Sequence, residues 1–173
     1  MKSFENKVAA ITGAGSGIGR ELALELGRRR CNLALSDVNE DGLQETAAQA
    51  IALGVRVTSQ NVDVAERDAV CAWADAVANE HGKVNLIFNN AGVALASTVE
   101  RMRYEDFEWL MNINFWGVVH GTKAFLPHLR ASGEGNSRRV LIGPDAQIFD
   151  WVVRFLPSTY QRITVGYSKF SAK

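Results

Sequence analysis

Tyr167, Lys169 and Lys173 crowd into the stretch V-G-Y-S-K-F-S-A-K at 165–173, and a phenol beside an ammonium group is a pair that can move a proton at a reacting oxygen. On a helix such a pair works at a spacing of four, where the two side chains share one face. Here Tyr167 meets Ser171 at that spacing. Lys169 falls about 200° around a helix from Tyr167 and Lys173 about 240° around it. Both Tyr167 and Lys169 remain weak catalytic candidates.

A second chemical pattern lies at the other end. The turn T-G-A-G-S-G-I-G, Thr12 to Gly19, follows a short apolar run and opens a stretch with helical spacing. Gly13, Gly17 and Gly19 allow a tight turn and close approach of a pyrophosphate to the backbone, while the helix N-terminus supplies N–H donors. Turns of this kind also serve packing alone. Asp37, about twenty residues on at the end of the next apolar run, argues for a ligand, because a carboxylate there accepts hydrogen bonds from an adenosine ribose and repels a 2′-phosphate. NAD is expected over NADP. A helix cap is the other role for Asp37, but Asn39 serves there equally well.

These residues need a scaffold, and the pattern along the chain supplies one. K-V-A-A-I-T, N-L-A-L-S-D, V-R-V-T-S-Q-N-V-D and V-N-L-I-F-N-N-A-G read as strands, alternating with helical stretches, two of them stopped by Gly54 and Gly82. The fourth run is apolar enough for a strand covered on both faces. A long helix is expected from about Tyr104 to about Arg130, then R-R-V-L-I-G as a fifth strand. The alternation predicts an α/β fold: a doubly wound, Rossmann-type three-layer sandwich with a parallel sheet of about five strands in the order 3-2-1-4-5. Ligands of such sheets sit beyond the carboxyl ends of the strands.

The ordered set T-G-A-G-S-G-I-G, S-D at Asp37, N-V-D-V with Asp63, N-N-A-G at 89–92 and N-I-N-F-W-G with Asn114 resembles the short-chain dehydrogenase/reductase family from about Lys7 to about Ser132. The resemblance implies cofactor contacts at Gly13, Ser16, Ile18, Gly19, Asp37, Asp63, Val64, Asn90, Ala91 and Gly92. Asp63 and Val64 would lie against adenine, and Asn114 would hold a water in the proton relay or simply bond to backbone. The implied activity is hydride transfer between NAD and a secondary alcohol or carbonyl.

On the catalytic side the pattern departs from the family. Pro144 and Asp145 stand where a serine would follow the fifth strand, and no Tyr-x-x-x-Lys occurs. Residues 139–173 instead resemble the C-terminal strand and hydrophobic helical tail of some family members, as though an internal deletion had removed two strand-helix units with the serine, tyrosine and lysine. Ile148, Phe149, Trp151, Val152, Phe155 and Leu156 of that tail would then cover one sheet face. Trp109, Phe115 and Trp116 would form core, or else lack helical partners and favour a homo-oligomer through the 104–130 helix.

Length and charge set the remaining bounds. With 173 residues the chain reads as a single dinucleotide-binding domain, 1–173. The 19 basic and 19 acidic side chains cancel, so neither nucleic acid nor an anionic membrane is expected as a partner. The apolar start is too short for a signal peptide or anchor, and Cys31 and Cys71 are expected as buried free thiols of a cytoplasmic protein. His81, His120 and His128 lack metal-ligand spacing and are expected on helices or the surface, so no metal is expected. Three functions fit: an NAD-linked oxidoreductase, a non-catalytic dinucleotide-binding module, or a truncated remnant.

Overall fold

The computed structural model describes residues 3–133. Four strands, β1 (Val8–Thr12), β2 (Asn32–Asp37), β3 (Val57–Asn61) and β4 (Leu86–Phe88), pair in the order β3-β2-β1-β4, and every pairing is parallel. Helices α1 (Gly17–Arg28), α2 (Glu40–Ile51) and α3 (Arg67–His81) connect successive strands. Among the described residues the chain forms the first four places of the predicted order 3-2-1-4-5. The fifth strand, the tail at 139–173, Tyr167 and Lys169 lie outside the described residues.

Side-chain alternation along the strands divides the interior in two. Ala9 and Ile11 of β1, with Leu33 and Leu35 of β2, pack against Ala23, Leu24 and Leu26 of α1 and Leu43, Ala47 and Ala50 of α2. Val8, Ala10 and Ala34 point the other way, onto Val70, Trp73, Ala74 and Val77 of α3 and onto Phe125. Period-two strands therefore bury both faces, and all five residues of β1 are buried. Trp73 and Phe125 meet edge to face with centroids 5.0 Å apart, a geometry that adds about 1 kcal/mol to the burial itself.

The expected helix at 104–130 is continuous but not uniform. It runs as α4 (Tyr104–Met111), a π-helical segment (Asn112–Trp116) and α5 (Gly117–Ala131). The Gly117 N–H donates to the Asn112 carbonyl, five residues back, so one extra residue is inserted and the helix face is re-aimed after the turn. Trp109, Phe115 and Trp116 are exposed, at 48, 50 and 48%, rather than core. Phe115 packs edge to face on Trp116, and Trp116 stacks on His120.

Two further expectations change. Leu86, Ile87 and Phe88 of β4 are only half-buried: β4 is the edge of the sheet among the described residues, so one flank lacks a neighbouring strand there. Cys31 is buried, and burial pushes its thiol up to about 11, but Cys71 is exposed. Cys71 follows Val70 on α3, whose buried stripe of Val70, Trp73, Ala74 and Val77 leaves position 71 facing outward.

His81, in the last turn of α3, bonds Thr58 Oγ1 of β3 through Nε2 at 3.1 Å, while its buried Nδ1 has no partner. Burial first, then the nearby Arg56 charge, lowers its pKa below the ordinary imidazole value. Protonation thus favours the unfolded chain: this share of stability is intact above about pH 6.5 and is lost as pH falls toward the lowered folded value. His81→Gln should lose less stability than the wild type between pH 7.5 and pH 5.5, measured as urea midpoints. Equal losses would show that His81 contributes nothing to acid sensitivity.

Candidate functional site

The strand register brings the candidate residues into one row. Thr12 pairs with Ser36, Asp37 with Asn61, and Ile11 with Phe88, so Gly13, Asp37, Val62–Asp63 and Asn89–Asn90 all leave the sheet at its carboxyl edge. The crevice between β1 and β4 is where the chain order reverses, the usual place for a ligand in a sheet of this kind.

The turn after β1 is shaped by contacts only glycine permits. Gly13 has φ +66°, and a Cβ there would lie 2.8 Å from the Ala91 Cα. A Cβ on Gly19 would strike the Gly13 carbonyl oxygen. Helix α1 therefore starts directly against the turn. Ser16 is its N-cap, yet no side-chain hydrogen bond caps the helix, and Ser16, Gly17 and Ile18 are exposed. On α2, by contrast, Asn39 Oδ1 accepts the Gly42 N–H at 3.1 Å. The first turn of α1 is thus left with donors for a ligand, including the Ser16 hydroxyl.

Asp37 does not cap α2. Its Oδ2 accepts the Gly15 N–H at 2.7 Å and its Oδ1 accepts the Asn39 N–H at 2.9 Å. The carboxylate is pinned between the glycine-rich turn and the next helix, with acceptor capacity left on both oxygens.

Thr12 and Gly15 are parts of the site that the sequence pattern did not single out. Thr12 Oγ1 accepts the N–H groups of both Asn90 and Ala91, each at 3.0 Å. Asn90 Nδ2 donates to the carbonyls of Thr12 and Gly13, at 3.0 and 3.2 Å. Asn90 thereby splices the end of β4 to the turn, and Ala91 rests on Gly13. Gly92 lies beside Asn114. Only its burial, with a hydroxyl aimed across the sheet, marks Thr12, and neither is visible before folding.

Asp63 is exposed, and its Oδ1 accepts the Ala65 N–H at 2.9 Å in the turn leading to α3. Val64 is buried, with its side chain turned inward against Gly117. Asn114 sits in the π-helical segment with both ends of its amide on Val93: Oδ1 accepts the Val93 N–H and Nδ2 donates to the Val93 carbonyl, each at 2.8 Å. Its amide braces the backbone that follows Gly92. Among the described residues no three His, Cys, Asp or Glu side chains converge to hold a metal ion, and no helix is long and apolar enough to cross a membrane.

The Thr12 hydroxyl can be tested with the isosteric Thr12→Val, which strands two part-buried backbone donors. It should cost about 1–3 kcal/mol of unfolding free energy in urea. A loss no larger than a few tenths would mean that water or another acceptor replaces it.

The short chain dehydrogenase family model matches residues 7–137. SadH of Mycobacterium tuberculosis is 57% identical over 136 residues, covering 79% of this chain and 49% of SadH. A short chain dehydrogenase/reductase from Burkholderia phymatum in complex with NAD superposes with a TM-score of 0.74 at 39% identity, over 78% of this chain and 48% of that one. NAD+-bound xylitol dehydrogenase also gives 0.74, at 34% identity, over 78% of this chain and 52% of its own. The chain thus spans about half the length of the relatives it matches. In sequence and in strand order alike, the chain belongs to the short-chain dehydrogenase family.

Proposed function

We propose that this chain binds NAD across the carboxyl edge of its sheet. The pyrophosphate lies on the turn Gly13–Gly19 and the first turn of α1, with Ser16, Gly17 and Ile18 toward the ligand. The adenosine ribose lies at Asp37, and adenine lies near Asp63 and the Val64 backbone. Asn90, Ala91 and Gly92 line the inner wall. The observation that carries this reading is the pinned Asp37 carboxylate, 2.7 Å from the Gly15 N–H, beside a helix start that no side chain caps. The structures of relatives with NAD bound support it. A 2′-phosphate would meet the Asp37 charge, so NAD binds more tightly than NADP.

When bound, the oxidised cofactor would accept hydride and the reduced cofactor would supply it. Membership of the family supports one reaction class, hydride exchange with a secondary alcohol or carbonyl. Such an exchange also needs a proton donor or acceptor at the substrate oxygen. Within the sequence Tyr167 has Ser171, not lysine, four places on, and Asn114 has its amide engaged on Val93. Those two observations favour a second reading, that NAD is held without efficient turnover. In both readings the protein acts in the cytoplasm and pairs with a second copy through the exposed aromatic face at 104–130.

NAD at millimolar concentration should raise the melting temperature, because a ligand that binds only the folded state stabilises it. NADP should raise it less, and Asp37→Ala should bring the two responses together. No shift with NAD would refute the binding reading. Turnover, followed at 340 nm with a panel of alcohols and ketones, separates the oxidoreductase from the non-catalytic module: NAD-dependent activity abolished by Tyr167→Phe would establish the former.

A further inference from the structure

Among the described residues, Arg20 ties the glycine-rich turn, α1 and α2 together. From α1 its Nη2 donates to the Gly15 carbonyl at 2.7 Å, to the Gly42 carbonyl at 3.3 Å and to Glu45 at 2.9 Å, and its Nε donates to Thr46 Oγ1 at 3.0 Å. Thr46 Oγ1 in turn donates to the Gly42 carbonyl at 2.9 Å. Gly15 is therefore held at both polar ends: a carboxylate takes its N–H and a guanidinium takes its carbonyl. The space is filled as well, since a Cβ on Gly15 would lie 2.9 Å from the Asp37 Cγ and one on Gly42 would lie 2.6 Å from the Gly15 oxygen.

We propose that Arg20 is a positioning residue that sets cofactor selectivity: by holding Gly15 from the side opposite Asp37, it fixes the ribose-reading carboxylate relative to the pyrophosphate turn. The inference rests on the NAD-binding reading above. Arg20 works through Gly15, and its charge is already matched by Glu45, so it is not itself a phosphate ligand. Asp37, on the other side of Gly15, cannot swing away from a 2′-hydroxyl without breaking the short bond to the Gly15 N–H. Charge-assisted bonds of this length are the strong ones, and the guanidinium reaches four acceptors through two separate nitrogens, Nη2 and Nε, which the single nitrogen of a lysine would not reach together.

The test is isothermal titration of the full chain with NAD, NADP and ADP-ribose, for the wild type, Arg20→Met, Asp37→Ala and the double variant. Arg20→Met should weaken NAD and ADP-ribose roughly tenfold, the size expected for losing a charge-assisted anchor. It should also reduce the preference for NAD over NADP, and its effect should be smaller in the Asp37→Ala background. Thr46→Val, which removes the Nε anchor and keeps the charge, should shift the preference in the same direction by less. It serves also where Arg20→Met does not fold.

Preference unchanged in Arg20→Met, or in Thr46→Val where it alone folds, would overturn the proposal. So would strictly additive losses in the double variant. A salt dependence of NAD binding that disappears with Arg20 would also overturn it, by showing a direct phosphate contact. A wild type that binds no dinucleotide would instead overturn the NAD-binding reading, and the proposal with it. Amide exchange at Gly15 provides a readout without ligand: it should speed up in Arg20→Met while Ile11 in β1 stays protected, and unchanged protection at Gly15 would remove the basis of the proposal.

Discussion

The parallel pairing of β1 with β2 on one side and with β4 on the other is the constraint from which the site follows. A single register places Thr12, Asp37 and Asn89 at the same edge, and the side chains there need only short reaches to join. The threonine hydroxyl, the Asn90 amide and the Asp37 carboxylate each replace backbone partners that the strands lose where their ladders end. Polar side chains at the edge therefore do two things. They satisfy backbone donors and acceptors that would otherwise be left unpaired in part-buried positions, and they hold a glycine-rich turn in one shape.

The two faces of the sheet explain why small residues are placed where they are. Ala9, Ala10 and Ala34 lie between helices on opposite sides, and the central strand could not be covered twice with larger side chains at each position. The close approach continues at Gly121, against which the side chain of Asn89 is packed. Asn89 Nδ2 donates to Thr122 Oγ1 at 3.1 Å, while its buried Oδ1 has no hydrogen-bond partner. Residues of α5 and the end of β4 thus meet at a tight contact where packing has prevailed over complete hydrogen bonding.

Much of this was legible before folding. Strand and helix alternation and the glycine-rich turn follow from periodicity and punctuation, which are local properties, and the strand order follows from the doubly wound class that the alternation implies. Asp37 was legible because a carboxylate stands at a strand end about twenty residues beyond the glycine-rich turn, while Asn39 two residues on can cap the next helix equally well; its own local bond, to the Asn39 N–H, was not. The inward turn of Val64, the outward position of Cys71 and the double acceptor role of Thr12 depend on which face an element presents after packing, and no spacing rule contains that. The π-helical segment was hidden for a related reason: one residue inserted within a helix leaves composition unchanged and shows only as a break in phase. Asn114 falls in that break, so its sequence position marked it without disclosing its partner, Val93.

The uncapped start of α1 and the capped start of α2 stand a few residues from the same carboxylate, and the contrast bears on the entropy of binding. Asp37 is already immobile: two backbone N–H groups hold its two oxygens. A hydroxyl arriving there need not freeze a rotating side chain, which for an unheld residue would cost about 0.5–1.5 kcal/mol. The freedom was surrendered when the chain folded, and the strand edge meets its ligand already organised.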